Sequence, residues 1–246
     1  GLMILAVAQS IARPGNLAQS IQDHLRLAQN AAEQGAQLVV FPELSLTGYR
    51  RTLTNVDALA PTDARLQPLQ DLADRHAILI IAGAPLASAA GLQIGAFSFS
   101  PSRGVQSYSK QYLHTGEEVA FAPGNGGDAL LLAGQTVCLA ICAEITHCQH
   151  AQAAADGGAT IYAASCFITP AGYAHDAALL AGYAHMHHMV VLLANYGAAT
   201  GGWSAAGRSA IWGSDGTLLT CGPAEGEALV VATITNAFPA EAGAAP

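Results

Sequence analysis

The chain has 246 residues, 52% of them hydrophobic and only 11% charged, and seventeen acids against nine Lys and Arg give a net charge of −8. That acidity, with no basic patch or basic helix, repels phosphate backbones and argues against a nucleic-acid partner. No apolar run reaches the ~20 residues needed to cross a bilayer, and the five cysteines form no dense framework, which fits reduced thiols and a cytoplasmic location.

The first apolar run, Met3–Ala8, has no basic region before it and reads as a strand, not a signal peptide; Gly1 ahead of it fits a cloning remnant. A helix follows from Asn16 to Gln34. Asn16 is its N-cap with Gln19 as capping-box partner, Leu17, Ile21, Leu25, Ala28 and Ala32 form its apolar stripe, and Gly35 stands at C′. Strands are predicted over Leu38–Phe41, Ile78–Ala82, Val137–Cys142, Ile161–Ser165 and Val190–Ala194, and helices over Arg65–His76, Gln149–Asp156 and His175–His188. Trp203–Thr235, punctuated by Ser214-Asp215-Gly216, reads as antiparallel edge strands, and Pro239–Pro246 as a loose tail. Alternating strands and helices imply an α/β layer fold. With no internal repeat or linker, one domain over residues 1–246 is expected.

Three residues with chemical potential stand at or near predicted strand ends. Glu43, in VVFPELSLTGY, follows Pro42, which cannot continue a central ladder. Its carboxylate therefore belongs at the carboxyl edge of the sheet, where open α/β folds place ligands. Lys110 is the only lysine beside eight arginines, and its compact ammonium is a point donor suited to a developing oxyanion. Cys142 ends the run VCLAIC, in which Val137, Leu139 and Ile141 face one way and Cys138, Ala140 and Cys142 the other. Each has an ordinary alternative, as a loop acid, a solvated lysine and a small buried hydrophobe. Cys166, also at a strand end, is a rival nucleophile, whereas Cys138 reads as inert core.

With FPELSLTGY, SKQYLHTGEEVAFAPG and LAICAEI in that order, the chain resembles the nitrilase superfamily of carbon–nitrogen hydrolases, in its amidase-like branch. LLANYGAATGGWSAAGRSAIWGSDGTLL is similar to a later segment of the same family. The resemblance spans nearly the whole chain. It implies a four-layer α-β-β-α sandwich, with Glu43 as general base, Lys110 as oxyanion stabiliser and Cys142 as nucleophile. Glu117, seven residues before Gly124, corresponds to the second glutamate, with Glu118 as the alternative one residue on.

Chemistry asks for the same groups. A thiol is only a few per cent ionised at neutral pH and needs a base. The oxyanion needs fixed donors, here the Lys110 ammonium and the backbone N–H of Ala143. Attack, loss of ammonia and hydrolysis of a Cys142 thioester then complete the cycle. Tyr49, His114 and Phe167 are expected to line the pocket, and Glu144 is expected to pair with Arg208 or to cap a helix. After the cysteine motif the chain departs from many family members: Ile145-Thr146-His147-Cys148 replaces an aromatic-Pro-Glu run, and no arginine lies between Arg103 and Arg208. Small neutral amides therefore fit better than acidic or carbamoyl substrates, and nitriles less well.

Nine histidines raise the question of a metal. His147/His150 and His185/His187/His188 lack CxxC or HExxH spacing, so no metal and no cofactor are expected. A thioester-based acyl or amide transferase and a non-catalytic binding protein on the same fold are the rival functions. The first needs a second substrate, and the second predicts loss of Glu43, Lys110 or Cys142. The sparse charge leaves much neutral surface, so a homodimer or larger homo-oligomer is expected, paired through the helix around His175–His188.

Overall fold

The computed structural model describes residues 2–235; Gly1 and the expected tail Pro239–Pro246 lie outside them. In chain order the elements are β1 (Leu2–Gln9), α1 (Leu17–Glu33), β2 (Leu38–Val40), α2 (Gln67–His76), β3 (Leu79–Ser88), β4 (Gly91–Ser100), β5 (Gly104–Ser109), β6 (Leu130–Leu132) and β7 (Gln135–Ile141). They continue with α3 (Cys148–Asp156), β8 (Ile161–Ser165), α4 (Pro170–His187), β9 (Val190–Ala194), β10 (Ala210–Trp212), β11 (Leu218–Cys221) and β12 (Ala228–Thr235). They form two six-stranded sheets, ordered β12-β1-β2-β3-β4-β5 and β11-β10-β9-β8-β7-β6. β1, β2 and β3 run parallel, as do β7, β8 and β9. The flanking pairs are antiparallel.

Strand alternation builds the layers. On β1, Met3, Leu5 and Val7 enter the core between the sheets, while Ala6 and Ala8 face Ile21, Leu27, Ala28 and Ala31 of α1 and Leu69, Leu72 and Ala73 of α2. On β7, Val137, Leu139 and Ile141 join the central core, and Ala140 packs toward Ala151 and Ala154 of α3 and Leu180, Tyr183 and Ala184 of α4. The result is the expected α-β-β-α sandwich. Two sheets, each apolar on both faces, can only be covered this way, by each other inside and by helices outside. Leu5 and Leu192 are fully buried between the sheets; truncation of such a leucine to alanine costs about 2–5 kcal/mol.

Local signals hold with adjustments. Asn16 Oδ1 accepts from Gln19 N at 3.1 Å, so the cap forms. The capping box does not, because the Gln19 carboxamide turns instead to Asp23, at 3.0 Å. Gly35 has φ +83°, as a C′ glycine should. The stripe of α1 is rotated from the predicted one: Ile21, Leu27, Ala28 and Ala31 are buried, and Leu17, Leu25 and Ala32 lie at its margin. α4 begins at Pro170, five residues earlier than predicted; Pro suits a first helical turn. β4, β5 and β6 lie outside the predicted strands. Of the late strands, β10 and β11 extend the second sheet, while β12 crosses to the first and pairs with β1 along its whole length.

Candidate active site

Two sharp backbone bends set the site. β2 ends at Val40, and Pro42 turns the chain so that Glu43 lies three residues beyond the last strand residue. Leu44 follows at φ +53°. Here Gly83 of β3 is indispensable: a Cβ on it would sit 2.3 Å from Leu44 N and 2.8 Å from Ser45 N. The loop is tied down by Leu46 N donating to Gly83 O at 2.9 Å and by Tyr196 Oη donating to Glu43 O at 2.6 Å. Cys142 stands one residue past β7 at φ +42°, a left-handed conformation strained for a non-glycine residue. It opens a short 3-10 turn, Cys142–Thr146, so Ala143 carries one of the first N–H groups, which a helix start leaves without an internal acceptor. Lys110 follows β5 directly, its N–H bonded to Ile94 O at 2.8 Å.

The structure brings Glu43, Lys110, Glu117 and Cys142 together. Lys110 is fully buried, and its Nζ donates to Glu43 Oε2 at 2.6 Å and to Glu117 Oε1 at 3.0 Å. Glu117, not Glu118, makes this contact; Glu118 is exposed and accepts from Gly116 N. The two carboxylates differ in their other partners. Glu117 also accepts from Tyr49 Oη at 2.6 Å and His114 N at 2.7 Å. Burial alone would raise its pKa, but Lys110 and these donors hold it below the ordinary glutamate value. Glu43 Oε1 has no hydrogen-bond partner among the described residues. Burial therefore prevails over the Lys110 charge and pushes Glu43 up to about 7, the range that suits a general base at neutral pH. Burial opposes the Lys110 charge too, yet Glu43, Cys142 and Glu117 outweigh it and hold the ammonium pKa above its usual value. The Cys142 thiol is pushed well up, first by the neighbouring Cys166 thiol, then by burial and the Glu43 charge. In its resting state it is a neutral thiol that needs a base.

Cys142, Ala143, Glu43 and Glu117 line a cavity of about 350 Å³. Tyr49, His114 and Phe167 line it as expected, with the Tyr49 and Phe167 rings stacked at 5.2 Å. Lys110 does not reach the cavity surface; it lies behind the two glutamates. Arg51, Trp203 and Asp176 also line the space and were not foreseen. The Arg51 guanidinium sits 4.9 Å over the Trp203 ring, and its Nε donates to Tyr49 Oη at 3.1 Å. Arg51 stands two residues after the glutamate motif, the one local signal that could have pointed to it. Asp176 is brought in from α4, and its pKa is raised by burial.

Glu144 does not pair with Arg208; of the two expected roles it takes the cap, accepting from Ile141 N at the start of the Cys142–Thr146 turn. It is fully buried and accepts from Tyr108 Oη at 2.7 Å, Ile141 N at 2.9 Å and Gln111 N at 2.8 Å. Its carboxylate thus joins the residue before Cys142 to the residue after Lys110, across the two sheets. Arg208 instead lies over the Tyr173 ring. His147 stacks on Tyr112, whereas His150 bonds to Tyr108 and Tyr162. Among the described residues no three His, Cys, Asp or Glu side chains are arranged to hold a metal ion. Cys138 is partly exposed on the helix-facing side of β7, not inert core.

Comparison with known proteins accords with this geometry. The sequence model of the carbon-nitrogen hydrolase family matches residues 4–240. A comparison with curated proteins finds no match. Among solved structures, a double mutant of the amidase from Nesterenkonia sp. AN1 in complex with acrylamide is 25% identical with a TM-score of 0.84, covering 96% of this chain and 91% of that one. A mutant of the same amidase in complex with butyramide is 25% identical with a TM-score of 0.83, covering 94% and 90%. Another, showing Michael addition of acrylamide at the active-site cysteine, is 25% identical with a TM-score of 0.82, covering 93% and 92%. With the family model spanning nearly its full length, the chain belongs to the carbon-nitrogen hydrolase family.

Proposed function

We propose that the protein is an amidase that hydrolyses a small neutral linear amide to the acid and ammonia through a thioester on Cys142. The observation that carries this reading is the buried Glu43–Lys110–Glu117 cluster set against a cysteine on the wall of an aromatic-lined cavity. Glu43, which lines the cavity together with Cys142, takes the Cys142 proton as sulfur attacks the carbonyl carbon. The Ala143 N–H donates to the oxyanion, and the Lys110 charge stabilises it from behind Glu43. The protonated Glu43 then gives its proton to the departing ammonia, and afterwards activates the water that cleaves the thioester. Glu117 and Tyr49 hold the ammonium in place. The stacked Tyr49 and Phe167 rings offer an apolar wall that favours an uncharged acyl chain. Acrylamide and butyramide, bound by the Nesterenkonia amidase, are of this class.

A panel of short-chain amides, nitriles and N-carbamoyl amino acids, read by ammonia release with Cys142→Ala as blank, tests the proposal. Amides should turn over best. Activity confined to nitriles or carbamoyl compounds, or a Cys142→Ala variant as active as wild type, would remove it. We further place the working form in a homodimer or larger assembly, paired through α4, where Met186 is exposed; sedimentation as a clean monomer at micromolar concentration would contradict that.

A further inference from the structure

The rival thiol, Cys166, is fully buried and does not line the cavity. β7 and β8 are parallel and in register, with Ile141 opposite Ser165. Cys142 and Cys166 are the next residue on each strand, so the two leave the sheet side by side. Neighbouring strands lie about 4.7–4.9 Å apart, and a disulfide asks for Cα atoms about 4.4–6.8 Å apart. Cys166 belongs to the helix-side core, and Cys142, which bends out of the strand at φ +42°, packs against that core as well as against the one between the sheets. The Cys142 thiol donates to Phe167 O at 3.1 Å, the carbonyl of the residue after Cys166, and the neighbouring Cys166 thiol is the first cause of its raised pKa. The two sulfurs also differ in access. Cys142 is partly exposed and lines the cavity, whereas Cys166 is fully buried behind it. A small oxidant entering the cavity meets only Cys142, and the oxidised sulfur then has a second thiol as its neighbour.

We propose that Cys142 and Cys166 form a modification site, at which peroxide oxidises Cys142 and Cys166 resolves the product into an intrachain disulfide. In the first step Glu43 takes the thiol proton, sulfur attacks one peroxide oxygen, the O–O bond breaks, and the released hydroxide recovers the proton as water. Cys142 becomes a sulfenic acid, oxidised by two electrons, as the peroxide is reduced. In the second step the Cys166 sulfur attacks, the S–O bond breaks, the S–S bond forms, and the Cys166 proton leaves with the hydroxide as a second water. A thiol reductant reverses the result. Resolution by a neighbouring thiol diverts the sulfenic acid from irreversible sulfinic and sulfonic forms. The inference rests on the amidase reading only for the loss of activity; the disulfide itself needs only the two thiols.

The experiment titrates wild type and Cys166→Ala with hydrogen peroxide. Intact mass, non-reducing peptide maps and amide turnover before and after dithiothreitol are the readouts. Wild type is expected to lose two hydrogens, to show a cross-link between the peptides carrying Cys142 and Cys166, and to regain most of its turnover on reduction. Cys166→Ala is expected to gain two or three oxygens at Cys142 and to recover at least about tenfold less activity. Cys166→Ser makes the same comparison if the alanine variant does not fold. Three results overturn the proposal: oxygen addition in wild type at the variant's rate and without a cross-link, a cross-link from Cys142 to another cysteine, or peroxide that leaves both thiols free. A wild type that forms the cross-link yet hydrolyses no amide keeps this inference and removes the amidase reading.

Discussion

Replacing Lys110 by methionine, similar in length but uncharged, probes the buried charge cluster as a whole. The ammonium is fully enclosed, 2.6 Å from Glu43 and 3.0 Å from Glu117. Its removal leaves two acids sharing a dry site with no cation, and breaking a buried pair in this way costs about 3–5 kcal/mol. One acid can escape part of that cost by taking a proton, which makes the loss pH-dependent. The sign follows from Glu43, which already titrates at about 7, above the 4.5 of a free glutamate, although Lys110 pulls it down. Without Lys110 its folded pKa rises further. An acid whose pKa is raised by folding favours the folded state at low pH, and that advantage is lost as pH rises from the unfolded value through the folded one. Both chains share the unfolded value, so the deficit of Lys110→Met against wild type should be smallest below about pH 6, where Glu43 is protonated in both folded states, and should grow as pH rises past about 7. At about 2–4 °C per kcal/mol for a chain of this size, it reads as roughly 6–20 °C in Tm at the alkaline end. Amide turnover should fall at least about 10²-fold at every pH, the usual cost of losing an oxyanion-stabilising group. Thermal melts and ammonia release across this range give both quantities. A variant that melts within about 2 °C of wild type at both ends refutes the charge argument, and undiminished turnover takes Lys110 out of the chemistry.

The pH profile of kcat/KM on a neutral amide should rise with a midpoint near 7 as Glu43 becomes the free base; a profile flat across that midpoint would assign the proton transfer to another group. Glu144→Gln turns an N–H₂ toward either Gln111 N or Ile141 N, losing one bond to a buried charged group, about 1.5–3 kcal/mol. Its kcat should fall with KM nearly constant, since Lys110 and Cys142 move relative to each other; an unchanged kcat would make Glu144 only a stabilising residue. Gly83→Ala drives a Cβ against Leu44 N at 2.3 Å, and should lower stability by about 1–3 kcal/mol together with turnover. Wild-type Tm and turnover would mean that the Glu43 loop tolerates displacement.

Much of this protein is legible without coordinates because the signals are local. Val137, Leu139 and Ile141 alternate with Cys138, Ala140 and Cys142, and that period assigns each residue a face before any partner is known. Asn16 caps its helix through an N–H three residues away. Pro42 ends a strand by lacking a donor, and so leaves Glu43 at a sheet edge. Glu43, Lys110, Glu117 and Cys142 each stand out within a short motif. What the sequence could not supply is pairing over distance. β12 joins β1 rather than its neighbours β10 and β11; both placements bury the same alternating apolar residues, and only the closure of two whole sheets chooses between them. Glu144 reads, from its place just past a strand end, as a partner for Arg208 or a helix cap, yet Tyr108 and Gln111 N reach it along with Ile141 N, from strands whose register is fixed by the core between the sheets. Arg51, Trp203 and Asp176 come to one cavity from three separate segments. The adjacency of Cys142 and Cys166 depends on the parallel register of β7 and β8, separated in sequence by a whole helix. A residue's own chemistry and period are set by its neighbours in the chain, whereas its pKa, its partners and its access to a cavity are set by packing that brings distant segments within a few ångströms.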